Sequence, residues 1–233
     1  MSSFESVLAI SSVWGCFLTI AFFGLGTMIN RKTKMAACNP LLLCVIFVII
    51  FLKMTGIEYQ EFKASSSLVS YMLFPATVSL AIPLYEKWTL LKENVLAIVA
   101  GLLAGVLTSL VSIFLIAKIM GLDHAQYVTL LPKSVTTAIG MDVAAELGGM
   151  ASLASGVIIL TGIAGNLLAV SVCRLFKINN PIAKGIGIGS ASHAIGTSKA
   201  MEMGQTEGAM SSLAIAAAGI ITAFVAPLFA GLL

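Results

Sequence analysis

SVTTAIGMDVAAELG, from Ser134 to Gly148, and SASHAIGTSKAMEMG, from Ser190 to Gly204, come into register when the chain is slid against itself by 56 residues. Seven of the fifteen positions are identical: Ser134/Ser190, Ala138/Ala194, Ile139/Ile195, Gly140/Gly196, Ala144/Ala200, Glu146/Glu202 and Gly148/Gly204. Chance in a chain this rich in alanine and glycine would give about one or two. Each copy sits in a run, Gln126 to Gly149 and Pro181 to Gly204, that is apolar enough for a membrane yet interrupted by polar and ionisable residues.

The surrounding sequence is that of a bilayer protein. Of 233 residues, 59% are hydrophobic and 10% charged, where soluble domains carry about 25% charge; mean hydropathy is +1.05. A soluble enzyme is thereby excluded, and 21 glycines favour close-packed helices over a barrel. The net charge of +3 comes without a run of four or more like charges, so nucleic-acid binding has no footprint. Cys16, Cys38, Cys44 and Cys173 lack metal-type spacing and read as small apolar fillers, with no disulfide, metal or cofactor expected.

A crossing helix needs about 20 apolar residues. Ser6 to Asn30, Ala64 to Leu84, Asn94 to Ala117, Met150 to Cys173 and Gly208 to Leu233 meet that length, and Pro40 to Leu52 reaches it if Lys53 snorkels and the helix ends near Gly56. The expectation is an all-α polytopic membrane protein with about six spanning helices plus two re-entrant or broken segments. Lys and Arg collect on the cytoplasmic side of short loops. Arg31, Lys32 and Lys34 then put the N-terminus outside, and Lys87 and Lys92 lie inside. Arg174, Lys177 and Lys184 also fall inside only if Gln126 to Gly149 dips in from outside and returns. Pro181 to Gly204 would by the same logic enter from the cytoplasm, the C-terminus ending outside. Two similar segments entering from opposite faces make an inverted repeat, the recurring build of secondary transporters.

Irregular backbone is tolerated at membrane depth only beside protein or a wet cavity. The two tips supply Lys133, Ser134, Thr136 and Thr137, and Ser190, Ser192, His193, Thr197 and Ser198. Pro75 and Pro83 interrupt the third span, and a break near Pro75 would set free carbonyls beside Thr77 as a third wall. Lys133, His193 and helix N-termini would attract an anion. Asp142, Glu146, Glu202 or His193 would exchange a coupling proton; the alternative is a structural ion pair of Lys133 or Lys199 with one of these acids. Gly101 and Gly105 form a GxxxG pair, read as ordinary close packing, with a homodimer contact as its other use. No GxSxG or HExxH occurs, and Ser190, Ser192 and His193 have no orienting acid, so an enzyme is not expected.

LFPATVSLAIPLY (Leu73 to Tyr85), LPKSVTTAIGMDVAAELGG (Leu131 to Gly149) and NPIAKGIGIGSASHAIGTSKAMEMGQTEGAMSSLA (Asn180 to Ala214) resemble the LrgB/CidB family of membrane proteins. The resemblance runs from about Pro40 to the C-terminus, which implies a single membrane domain over 1–233, with 1–39 a peripheral first helix and 40–233 the family core. It implies two descriptions. Bacterial members are described as antiholin-like or holin-like modulators of murein hydrolase activity and cell lysis, working with a small LrgA/CidA-type membrane partner in the inner membrane. Others resemble carriers of small carboxylates, pyruvate uptake systems and the plastid glycolate/glycerate transporter among them. The chain has only the LrgB-like half. Proton-coupled transport of a two- or three-carbon monocarboxylate is taken as the molecular activity, with lysis control as the alternative.

Overall fold

The computed structural model describes residues 13–33, 38–79 and 81–233. Every regular element in them is helical, and the chain is a membrane protein. It divides into two compact units, up to Ser79 and from Leu80 onward.

In the first unit, α1 (Trp14–Thr33) packs on α2 (Pro40–Thr55). The part of the first expected span before residue 13, and Lys34, lie outside the described residues. The start and stop of α2 are written locally. The Asn39 side chain accepts from the N–H of Leu41 at 2.8 Å, Pro40 needs no N–H partner in the first turn, and Gly56 closes the helix at φ 72°. The stretch Ala64 to Leu84, expected as a span with a break near Pro75, holds the end of α3 (Tyr59–Ser65), α4 (Ser67–Tyr71), α5 (Leu73–Ser79) and, in the second unit, the start of α6 (Ala81–Glu86), with Leu80 outside the described residues. Among the described residues the helix ends fall at Ser66 and Met72, and Pro75 takes the third position of α5, where a missing N–H costs nothing. Pro75 is exposed on the first unit, and the Thr77 side chain lies outside what is described.

The second unit continues with α7 (Trp88–Glu93), α8 (Val95–Met120), α9 (His124–Leu130), α10 (Thr137–Glu146), α11 (Ala151–Leu175), α12 (Pro181–Met203) and α13 (Gln205–Ala230). Among the described residues three helices, α8, α11 and α13, are long and apolar enough to cross a membrane, against the six expected. They serve as rulers for the two interrupted segments.

α12 starts as α2 does, with Asn180 accepting from the N–H of Ile182 and Ala183 and with Pro181 in its first turn. Its helical dihedrals fail at Ser192 and His193. Before this kink, Gly185 lies against Glu207 and Met210, and Gly189 against Ser211 and Ala214, so contact advances along α13. After it contact retreats. The Thr197 hydroxyl meets that of Ser211 at 2.7 Å, and Met201 packs on Gly208. A straight rod could not touch Ser211 from both Gly189 and Thr197, so α12 is a helical hairpin with its tip at Ser192–His193.

The α9–α10 segment folds back in the same manner. His124 Nδ1 is 2.7 Å from the Leu233 carbonyl, Tyr127 donates its hydroxyl to Phe229 O at 2.9 Å, and Ile139 packs on Gly219. The chain then returns, the Met150 N–H reaching the Thr129 hydroxyl at 2.8 Å. This hairpin descends α13 from its C-terminal end while α12 climbs it from its N-terminal end. α8 gives the same order: Gly101 against Ile186, Gly105 against Ser190, Ser109 against Ser134, and Phe114 against Tyr127. On α11, Ile158 touches both Gly140 and His193. The two tips therefore meet near the middle of all three long helices. Gly101 and Gly105 are occupied by α12 of the same chain, so the close-packing reading of that pair is the one observed.

Candidate functional site

The first tip is made by Pro132, which cannot donate to α9 and ends it. A tight turn follows, with the Lys133 N–H on Leu130 O and the Val135 N–H on Pro132 O, and an extended Thr136 then starts α10. The turn aims Lys133 at α8. Its ammonium donates to the hydroxyls of Ser134 at 3.0 Å and Ser109 at 3.3 Å, which are 3.1 Å from each other. Among the described residues no carboxylate lies within 4.0 Å of this ammonium.

At the second tip Ser190 donates to Ile186 O at 2.8 Å, leaving its oxygen lone pairs for another partner. A cavity of about 710 Å³ extends between the tips and along α8 and the first leg of α12. Lys133, Ser134, Thr108, Ser109, Ser112 and Ser190 form its polar end; Asn94 and Asn180 stand at the other. Between these the walls are mostly small side chains, Ala97, Gly101, Ala104, Gly105, Ala183, Gly187 and Ala191, with Ile182 and Ile186 the large ones. From Asn94 to Ser112 the cavity follows roughly 27 Å of helix. Among the described residues Lys133 is the sole ionisable one in its lining. A lysine at mid-depth costs about 3 kcal/mol on insertion scales, and here it is met only by hydroxyl oxygens.

Of the residues nominated from sequence, Lys133, Ser134 and Ser190 share this cavity, and the others do not line it. Ser192 is buried between Gly165 and Gly196 and donates to Ile188 O at 2.7 Å. His193, 3% exposed and at φ 43°, donates from Nε2 to Ile158 O at 2.9 Å across the space left by Gly162. Thr197 is clasped to Ser211. These three hold the tip against α11 and α13 rather than facing an anion. Thr136 and Thr137 are half-buried at the start of α10. Asp142, Glu146 and Ser198 are exposed, Ser198 sharing Asn166 with Ile195 O. Lys199 pairs with Glu202 at 2.6 Å within one leg, the ion-pair alternative for those two. Sequence reading missed Thr108, Ser109 and Ser112. Their signal was three hydroxyls at mid-length of a span whose other residues, Lys118 near its end apart, are apolar.

The description "LrgB-like family" matches residues 19–232, beginning inside α1 and upstream of Pro40, where the resemblance was expected to start. The chain is 34% identical over 224 residues, 96% of its own length and 97% of the relative's, to "Antiholin-like protein LrgB" of Bacillus subtilis (strain 168). It is 32% identical over 217 residues, 93% and 94% of the two chains, to the protein of the same name of Bacillus cereus (strain B4264). These names favour lysis control, the reading placed second to transport above. No solved structure matches the chain. A match over nearly the whole length, with all three motif stretches inside it, means that the chain belongs to the LrgB-like family.

Proposed function

We propose that this chain is an antiholin-like membrane protein whose molecular activity is carriage of small monocarboxylates such as pyruvate or glycolate. The relatives' names support the antiholin-like role, which in this proposal acts on murein hydrolase activity and lysis. The observation that carries transport is one cation, Lys133, held only by hydroxyls at the polar end of a cavity between two hairpin tips. One positive charge suits one carboxylate, and Ser109, Ser134 and Ser190 suit its hydroxyl or keto oxygen. A pore former needs helices that assemble; a cation set between opposed broken segments is the arrangement of a carrier.

In this proposal the hairpins form an inverted repeat, entering the bacterial inner membrane from opposite faces among about six crossings, with both termini outside and a small LrgA/CidA-type partner alongside. Lys87 and Lys92 on one side, and Arg174, Lys177 and Lys184 on the other, flank the Asn94–Asn180 end of the cavity. The positive-inside rule makes that end cytoplasmic, and it would be the inward mouth of the carrier. Transport would alternate access from this mouth with a conformation in which the first hairpin admits the anion from outside. Proteoliposomes holding the protein, with and without its partner, test the reading. Labelled pyruvate, glycolate or glycerate should enter saturably, and Ser190→Ala and Ser109→Ala should raise KM by about 10- to 100-fold, the loss of one hydrogen bond to a charged group. Leakage of a neutral dye that ignores both substitutions, without saturable uptake, would favour a hole-forming activity.

A further inference from the structure

The proton-exchanging groups expected from sequence are not where the anion would bind. Asp142 and Glu146 are exposed on α10, and Glu202 is exposed and paired with Lys199. His193 is turned into α11, with Nε2 on Ile158 O. Lys118 near the end of α8 and His124 and Tyr127 on α9 are outside the cavity, and among the described residues its lining holds no titratable side chain besides Lys133. The lining of α8, from Asn94 to Ser112, and that of α12, from Asn180 to Ala191, are free of ionisable side chains. Lys184 is not part of that lining and lies 4.0 Å from Glu207. On α11 the cation nearest an end is Arg174, and on α13 the acid is Glu207, both remote from mid-length.

Resting on the carrier reading above, we infer that Lys133 itself carries the coupling proton, acting as anion receptor and proton carrier in one group. At one face the neutral amine takes a proton and binds the carboxylate as the ammonium. At the other the carboxylate leaves and the ammonium returns its proton to water. One anion and one proton cross per cycle, and only an N–H bond is made or broken. The physical gain is charge balance. The empty amine and the ammonium–carboxylate pair both carry no net charge at the site, so neither reorienting form drags an uncompensated charge through lipid. The hydroxyls of Ser109 and Ser134 serve both forms, since each accepts from an ammonium and donates to an amine.

The test uses the full chain in proteoliposomes, with labelled pyruvate and glycolate as probes and the membrane potential clamped by potassium and valinomycin. Protein-free vesicles set the permeation baseline. Wild-type uptake should be driven by an inward proton gradient and indifferent to the clamped potential, each pH unit sustaining at most about tenfold accumulation. Lys133→Arg keeps a permanent cation; it should exchange label for unlabelled anion yet lose gradient-driven accumulation. Saturable wild-type uptake that ignores the proton gradient, or accumulation by Lys133→Arg equal to wild type, overturns the inference and leaves the carrier reading standing. Absence of saturable uptake by the wild type removes both. Should Lys133→Arg be inactive in every assay, calorimetry on the unaltered protein decides. Pyruvate binding measured in two buffers of different ionisation enthalpy should show uptake of up to one proton between about pH 6 and about pH 10. No uptake anywhere in that range overturns the inference.

Discussion

Ser192 sits where two helices leave no side chain. A Cβ at Gly165 on α11 would collide with it, and so would one at Gly196 in its own hairpin. That double absence lets the tip reach α11 and lets His193 reach the carbonyl of Ile158. Gly165→Ala should therefore force backbone movement and lower stability by about 1–3 kcal/mol. Gly156→Ala, in the same helix with open space around it, should be neutral or stabilising by up to about 1 kcal/mol. Thermal unfolding of the two variants in one detergent checks the contrast, and equal shifts would contradict the packing. At this scale the sequence was a partial guide. Lys133, Ser134 and Ser190 stood out as polar atoms in an apolar run, but nothing in SASHAIG tells which of Ser190, Ser192 and His193 lines the cavity. That is settled by glycines on a different helix.

The interrupted segments were legible for different reasons. Pro132 announces the first break outright. The second has no proline, and its signal was the match to the first at a spacing of 56 residues; the kinked pair Ser192–His193 aligns with Thr136–Thr137, where α10 begins. In the third expected span Pro75 lies in the first turn of α5, three residues after the helix end at Met72. If the tips meet as the helix contacts require, cysteines at Ser109 and Ser134, whose oxygens are 3.1 Å apart, should form a disulfide under mild oxidation. In a background with the four native cysteines replaced, cross-linking of Ser109→Cys with Ser134→Cys would be read as loss of free thiol. Failure to cross-link would put the first tip elsewhere.

For the whole molecule, α8, α11 and α13 act as a frame at whose mid-length two hairpins converge. The second unit supplies every residue of the cavity, and its small side chains are needed because a wall of larger ones would fill the space. Among the described residues no buried side-chain nitrogen or oxygen lacks a partner, so the polar middle of this frame is held in place rather than merely tolerated. Composition and charge placement made the membrane class readable at once. The mid-depth cavity was readable only in outline, since it depends on which faces of α8 and α12 the glycines at 101 and 105 bring together.

Water at that depth is the claim on which the carrier depends, and thiol accessibility measures it. In the cysteine-free background, Ala191→Cys lines the cavity and Phe224→Cys, 77% exposed on α13, faces outward as a control. A membrane-impermeant thiol reagent applied from the cytoplasmic side of oriented vesicles should modify Ala191→Cys, pyruvate or glycolate should slow that modification, and Phe224→Cys should stay inert in lipid. Inertness of Ala191→Cys from both sides, or modification that neither anion slows, would contradict a solute-binding pocket between the two tips.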